Sequence, residues 1–243
     1  MLFHLAVFGA GLVAGFLNVM AGGGSLITLP ILIFLGLPVA VANGTNRFAI
    51  LVQNLAAVTA FRSQGYADLR SGIAFALTTI PGAIAGAFLA IRVGEGTFRA
   101  ILVGVLVLSV AGLLAPTREG PGAKPSGRAR WGAFVAFFGI GFYGGFIQAG
   151  VGFLFMLVLH QLLRIDLVRT NMHKVFIIFV FSIPALAVFI ATGNVAWTTA
   201  AALAAGNAGG AIVATRVSVK GGERPVKVVL AIALVMMAVR LVW

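Results

Sequence analysis

Residues capable of acid, base or metal chemistry are few in this sequence and widely scattered. The five carboxylates fall in predicted loops or at the ends of apolar segments: Asp68, Glu95, Glu119, Asp166 and Glu223. The three histidines, His4, His160 and His173, lack the spacing of a metal site, and the chain has no cysteine. No carboxylate lies mid-segment to act as a proton relay or sodium ligand. The sequence therefore disfavours an enzyme and predicts neither a metal nor a cofactor.

Two glycine clusters offer the chemistry that the charged residues do not. The first lies in NVMAGGGSLITLP (Asn18 to Pro30), where Gly22–Gly24 precede Ser25, and the second is formed by Gly150 and Gly152. A short helix is expected after each cluster, capped in the first case by Ser25. Helix N-termini expose free N–H groups and the positive end of the helix dipole, so two of them meeting near the bilayer midplane would bind an anion. The alternative is that these glycines serve only close helix packing.

Polar residues surround both clusters. Asn18 and Gln148 precede the two breaks at paired positions, and the polar segments NGTNRF and RTNMHKVF follow them. The Asn and Thr side chains of these segments suit either a substrate or helix capping. Arg47 and Lys174 suit the entrances of an anion pathway or, alternatively, snorkelling to lipid headgroups. The candidate substrate-binding residues are Asn18, Gly22, Gly23, Gly24, Ser25, Asn46, Arg47, Gln148, Gly150, Gly152, Asn171 and Lys174.

Other polar and small residues lie within the apolar segments. Gln53 and Asn54 need hydrogen-bond partners there, which we expect on other helices. The stretches Gly82–Gly86 and Gly206–Gly210 follow the small-xxx-small pattern, which predicts close packing of helices.

The overall composition is that of a membrane protein. Of 243 residues, 61% are hydrophobic and only 9% are charged, which is more apolar surface than a soluble domain could bury. The alternating ten-residue segments of a transmembrane barrel are absent from the sequence. The net charge of +12 fits basic cytoplasmic loops better than a nucleic-acid partner, so we expect none.

Ten apolar segments would position the polar residues. They span residues 2–20, 25–37, 46–62, 70–92, 98–115, 131–148, 153–163, 174–192, 195–215 and 226–242. A straight span needs about 20 residues. The second and seventh segments are too short to cross comfortably, and both directly follow a glycine cluster.

Two pairs of similar stretches indicate an internal duplication. FGAGLVAGFLNVMAGGGSL resembles FGIGFYGGFIQAGVGFL, and PGAIAGAFLAIR resembles AGNAGGAIVATR, in the same order in both halves. The first repeat would cover residues 1–115 and the second residues 131–243, joined by a linker at 116–130 rich in proline, glycine and charge. Each repeat has five segments, an odd number, so the second would be inverted relative to the first. The predicted fold is an all-α polytopic membrane protein with two inverted repeats.

Basic residues set the predicted orientation, because cytoplasmic loops are enriched in Lys and Arg. With the linker inside the cell, and each short segment forming a hairpin with the preceding one, thirteen of the 17 basic residues lie inside. The four outside are Arg47, Arg92, Arg99 and Arg240. Both chain termini are then expected on the outer face.

Several motifs resemble those of the TauE/SafE sulfite exporter family, also called the 4-toluene sulfonate uptake permease family. They are GAGLVAGFLNVMAGGGSLITLPILIFLGLP, NGTNR and PGAIAGAF in the first half and GFIQAGVGF in the second. The resemblance covers essentially the whole chain. It implies a bacterial inner-membrane permease for small anions such as sulfite, sulfoacetate or other organosulfonates. The second half departs from the pattern of the first, because RTNMHK replaces NGTNR and its glycine cluster is thinner.

The function expected from the residues and the resemblance together is secondary transport of a small anion across a lipid bilayer. The family name favours export. An anion channel, and a membrane enzyme or assembly factor that does not transport, remain as alternatives. Assembly as a homodimer is compatible with the sequence.

Overall fold

A computed structural model describes residues 2–66, 68, 70–94, 96–97, 100–101, 127–229 and 232. All regular structure in these ranges is helical. The helices are α1 (Leu2–Met20), α2 (Ser25–Phe34), α3 (Val39–Ser63), α4 (Arg70–Ala90), α5 (Gly127–Phe146), α6 (Val151–Met156), α7 (Leu167–Ala191) and α8 (Trp197–Gly221). One π-helical turn, Leu157–Leu162, continues α6, and residues 223–229 form a helical stretch after α8.

The fold confirms an all-α architecture of the kind found in polytopic membrane proteins. The windows Phe3–Met20, Gly72–Ala90 and Leu167–Ala191 are long and apolar enough to cross a bilayer. The helices after both glycine clusters are short, as predicted. Most of the predicted segments 98–115 and 226–242, and linker residues 116–126, lie outside the described residues.

Two helices begin earlier than the sequence predicts. The third predicted segment starts at residue 46, whereas α3 starts at Val39; the eighth starts at 174, whereas α7 starts at Leu167. Asp166 begins α7 as its N-cap, since its side chain accepts a 2.9 Å hydrogen bond from the backbone N–H of Arg169. Pro38 takes the corresponding position before α3. The polar segment NGTNRF therefore lies inside α3, and RTNMHKVF begins in the first turn of α7.

Close helix packing forms around the two small-residue stretches. Helix α4 packs against α5 through Gly82 and Gly86, and α8 packs against α1 through Gly206 and Gly210. A Cβ at Gly86 would lie 2.8 Å from the backbone nitrogen of Phe146, which leaves no room for a side chain. The prediction that both stretches mediate helix packing is confirmed.

The helix contacts recur between the two halves of the chain. Helix α1 packs on α8 as α5 packs on α4, and α3 packs on α8 as α7 packs on α4. At the centre, α3 packs on α7. When α1 to α4 are matched in order with α5 to α8, each main contact of one helix therefore corresponds to a contact of its match. Each half completes its packing with helices of the other.

Candidate functional site

The first break ends α1 at Met20 and starts α2 at Ser25. Gly22 has a φ of 91°, a left-handed conformation that favours glycine. Gly24 already has helical φ and ψ of −57° and −36°, so Ser25 lies inside the helix and makes no capping hydrogen bond. The expectation that Ser25 caps α2 is wrong, because a capping side chain acts from the non-helical residue before the first turn. Ser25 is nevertheless buried beside the break.

The second break is more irregular than the first. Helix α5 ends at Phe146, and both Gln148 (φ 63°) and Gly150 (φ 73°) are left-handed before α6 begins at Val151. A left-handed φ is uncommon for a residue such as glutamine and indicates local strain. The Gln148 side chain is fixed by a 3.0 Å hydrogen bond from its Nε2 to Oγ of Ser182 on α7. Asn18, its sequence counterpart, lies instead within α1.

The two breaks touch through their backbones. A Cβ added at Gly22 would lie 2.5 Å from Cα of Gly152 and 2.8 Å from the backbone nitrogen of Phe153. A Cβ at Gly152 would lie 2.7 Å from the carbonyl oxygen of Gly22. Neither position has room for a side chain. The fold thus brings together two glycine clusters that are 130 residues apart in sequence.

The first turn of α2 leaves few backbone donors free. The N–H groups of Leu26 and Ile27 donate to the carbonyl oxygens of Gly23 and Gly24, each at 3.0 Å. A ligand at this terminus would therefore accept hydrogen bonds from the backbone N–H groups of the break itself, Gly23 to Ser25.

A buried lysine contacts the helix end before the first break. Lys174 of α7 is fully buried, and its Nζ donates to the carbonyl oxygen of Val19 at 2.7 Å and to Oδ1 of Asn171 at 2.8 Å. Val19 belongs to the last turn of α1, whose carbonyls have no partner further along the helix. The cation also opposes the negative end of the α1 dipole.

A buried arginine contacts the helix end before the second break. Arg47 of α3 is fully buried and donates from Nη1 to the carbonyl oxygen of Gly144 at 3.0 Å and from Nη2 to that of Gly145 at 2.7 Å. Its guanidinium carbon lies 4.9 Å from the centre of the Phe189 ring. One turn earlier, Asn43 donates to the carbonyl oxygen of Phe146 at 2.8 Å.

Neither cation lies where the sequence predicts it. Snorkelling is wrong for both Arg47 and Lys174, because no part of either side chain is exposed. They also lie in the interior rather than at entrances. Each neutralises the carbonyl end of the broken helix that belongs to the opposite half of the chain.

Two asparagines beside the breaks keep an unused donor. Asn46 accepts a 2.6 Å hydrogen bond at Oδ1 from Oγ1 of Thr28, in the first turn of α2, and its Nδ2 has no partner among the described residues. Asn171 accepts from Lys174, and its Nδ2 likewise has none within that part of the chain. Both side chains are fully buried. Buried amide donors of this kind normally have a partner, which a bound ligand would supply.

The remaining polar residues mostly join helices. Asn18 Nδ2 donates to Oε1 of Gln53 at 3.1 Å, which confirms the interhelical partner predicted for Gln53. Asn54 donates to the carbonyl oxygen of Ile50 within its own helix, so that prediction is wrong for its Nδ2. Thr45 caps no turn of α3 but accepts from the backbone N–H of Ala196, just before α8.

Among the described residues, no group of three or more His, Asp or Glu side chains is placed to hold a metal ion. The Nδ1 of His160 lies 2.8 Å from the carbonyl oxygen of Ile165.

Thr28 and Ser182 were missed by the sequence reasoning. Each is an isolated hydroxyl residue within an apolar stretch of its helix, and each hydrogen-bonds to a candidate residue on a different element. That isolation is the signal that could have identified them.

Comparison with known proteins decides the family. Residues 7–241 match the family described as Sulfite exporter TauE/SafE. The chain belongs to that family. This TauE/SafE protein is 30% identical to a probable membrane transporter protein, ORF9, of Sinorhizobium sp, over 98% of this chain and 93% of the relative. It is 27% identical to a probable membrane transporter protein of Haemophilus influenzae, with the same coverage of 98% and 93%.

A third relative is the probable membrane transporter protein YfcA of Escherichia coli K12, 27% identical over 98% of this chain and 88% of the relative. No solved structure matches the chain. The relatives confirm that this TauE/SafE protein is a probable membrane transporter rather than a member of an enzyme family.

Proposed function

We propose that this TauE/SafE protein is a secondary transporter that exports small anions, such as sulfite, sulfoacetate or other organosulfonates, across the bacterial cytoplasmic membrane. The observation that carries the proposal is the backbone contact between Gly22 and Gly152. It brings two irregular segments and two helix starts to one place, and irregular backbone inside a membrane is tolerated where it lines a binding cavity.

The electrostatics of this region favour an anion. No carboxylate lies within α1 to α8, whereas Arg47 and Lys174 are both buried next to the breaks. A buried charge without an opposite partner is costly, so the two cations favour a negatively charged occupant.

Hydrogen-bond donors complete the proposed site. The free Nδ2 groups of Asn46 and Asn171 and the amides around Gly24 and Gly152 would bind the oxygens of the anion. Oxyanions suit such a set, since each oxygen accepts several hydrogen bonds and the sulfite and sulfonate groups present three. Gln148, fixed by Ser182, would orient the ligand from the second break.

The pairing of contacts between the halves supports a transport cycle. It fits the predicted inverted repeats, residues 1–115 and 131–243, related by a twofold axis through the contact of α3 with α7. Rocking of one set of helices against the other would open the site alternately to the two sides. In this arrangement both termini lie outside and the linker 116–130 lies in the cytoplasm.

Transport by the purified protein in liposomes tests this function. Sulfite, thiosulfate, sulfoacetate, taurine and a simple carboxylate would be compared for flux into vesicles with and without the same anion inside. A transporter gives saturable flux that is accelerated by the anion on the opposite side. Flux without saturation or acceleration would identify a channel instead, and the absence of flux for every anion would contradict the proposal.

A further inference from the structure

A second feature with binding chemistry lies at the end of α8, and none of the residues at the helix breaks lines it. Gly222, with a φ of 64° and ψ of −144°, turns the chain from α8 into helical residues 223–229. The turn leaves an open cleft of about 590 Å³. Its lining consists of Val213, Arg216, Val217, Lys220, Gly221 and Pro225.

The cleft has an apolar part and a cationic part. Val213, Arg216, Val217 and Lys220 follow one another at the three- and four-residue spacing that places side chains on one face of a helix. Val213 is 51% exposed and Val217 is 36% exposed. Val213 and Val217 form one row along the helix, and Arg216 and Lys220 form the adjacent row, so an apolar strip lies beside a positive strip.

The acid nearest in sequence to the cleft is already engaged. Glu223 Oε2 lies 2.8 Å from Nζ of Lys227, and its Oε1 accepts a 3.2 Å hydrogen bond from the backbone N–H of Leu167. The hydrogen bond from Lys227 holds the pKa of Glu223 below its usual range, so this carboxylate stays ionised and committed to those partners. Arg216 and Lys220 form no ion pair within the described part of the chain.

We propose that this cleft binds an anionic membrane phospholipid, with its phosphate between Arg216 and Lys220 and one acyl chain along Val213 and Val217. A positive strip beside an apolar strip matches both parts of such a lipid, and basic pockets at the ends of membrane helices are suited to anionic headgroups. A free phosphate ion would use the cations and leave the valines uncovered. The basic loops of the sequence place this end of α8 on the predicted cytoplasmic side.

Native mass spectrometry of the full chain, released from bilayers containing phosphatidylglycerol and phosphatidylcholine, tests the proposal. The wild type is expected to retain phosphatidylglycerol in preference to phosphatidylcholine. The double variant R216Q/K220Q is expected to lose that retention about tenfold. Val217→Trp, which covers the apolar strip and keeps both cations, is expected to reduce it as well. Both variants change exposed residues, so the fold should persist.

A matched control removes the same charge elsewhere. The double variant R62Q/R130Q changes two exposed arginines outside the cleft and is expected to retain phosphatidylglycerol like the wild type. Equal loss in both double variants, or equal retention of the two lipids by the wild type, would overturn the proposal. Displacement of the lipid by excess inorganic phosphate would show that the cleft takes a free anion, and would overturn it too.

Discussion

Lys174 of α7 donates a 2.7 Å hydrogen bond to the carbonyl oxygen of Val19, in the last turn of α1 and 155 residues earlier in the chain. Arg47 of α3 makes the equivalent contact with Gly144 and Gly145 in the last turns of α5. A helix that ends inside a membrane leaves carbonyl oxygens that water cannot reach. Here each broken helix is completed by a cation from the other half, so neither break is self-sufficient.

Replacing Lys174 should therefore damage both stability and transport. Lys174→Met keeps the apolar stem but leaves the oxygens of Val19 and Asn171 without their donor, for which we expect a loss of about 1–3 kcal/mol in the free energy of unfolding. Thermal unfolding in detergent and anion flux in liposomes would measure the two effects. Arg62→Met, at an exposed position at the end of α3, is the control and should change neither. If Lys174→Met unfolded at the same temperature as the wild type, Lys174 would not stabilise the carbonyl end of α1.

Arg47 should not tolerate exchange for lysine, although the charge is kept. The planar guanidinium donates to two successive carbonyl oxygens and packs on the ring of Phe189, whereas a single ammonium cannot reproduce that geometry. We expect Arg47→Lys to lose about 1 kcal/mol of stability and Arg47→Met to lose more, because Met leaves both carbonyls unpaired. Chemical denaturation of the two variants gives the order. If Arg47→Lys were less stable than Arg47→Met, the hydrogen bonds to the two carbonyl oxygens would not be what stabilises the wild type, and the argument would fail.

The helix starts show what the sequence could and could not predict. The ends of α1 and α5 and the short helices after them follow from local glycine clusters, so periodicity and composition found them. The sequence predicts the starts of α3 and α7 seven residues late, because the stretches just before the predicted starts contain polar residues such as Asn43, Thr45 and Thr170, which are typical of loops. Asn43 and Arg47 are buried because they donate to carbonyl oxygens in the other half of the chain; Arg47 and Gly144, for example, are separated by 97 residues.

The site itself was predictable to a similar extent. The duplication indicated that the two glycine clusters correspond, and the fold brings Gly22 and Gly152 into contact. The roles of individual side chains depended on long-range partners. The spacing NGTNR gives no sign that Asn46 bonds to Thr28 or that Arg47 reaches α5.

A single methyl group at the break contact should abolish transport. Gly152→Ala would place its Cβ against the backbone of Gly22, and overpacking of this kind costs about 1–3 kcal/mol and separates the two breaks. Gly139→Ala, in α5, is a matched control, since its Cβ would meet nothing within 4 Å. Anion flux in liposomes, normalised to correctly folded protein, compares the two. Equal flux for Gly152→Ala and Gly139→Ala would show that the break contact is not part of the transport pathway.

A carboxylate at Asn46 should exclude anions while leaving the fold nearly intact. Asn46→Asp is almost isosteric and can still accept the hydrogen bond from Thr28, but it replaces the free Nδ2 donor with a negative oxygen. Like charges brought together in an enclosed site cost several kcal/mol, so we expect flux to fall about a hundredfold or more. Asn194→Asp makes the same chemical change in the loop after α7, where Asn194 contacts Thr192, and should transport normally. Unchanged flux for Asn46→Asp would remove Asn46 from the proposed site.

The predicted orientation can be tested with single cysteines, because the natural chain contains none. A cysteine added before Met1 and one added after Trp243 should both react with a membrane-impermeant maleimide applied to whole cells. A cysteine at Ser63, exposed at the end of α3, should react only after the membrane is opened. An odd number of segments in each repeat inverts the second repeat and returns the C-terminus to the side of the N-terminus. Labelling of the two termini from opposite faces would mean that one short helix crosses the membrane differently from its counterpart, and the paired breaks would then no longer be related by a twofold axis.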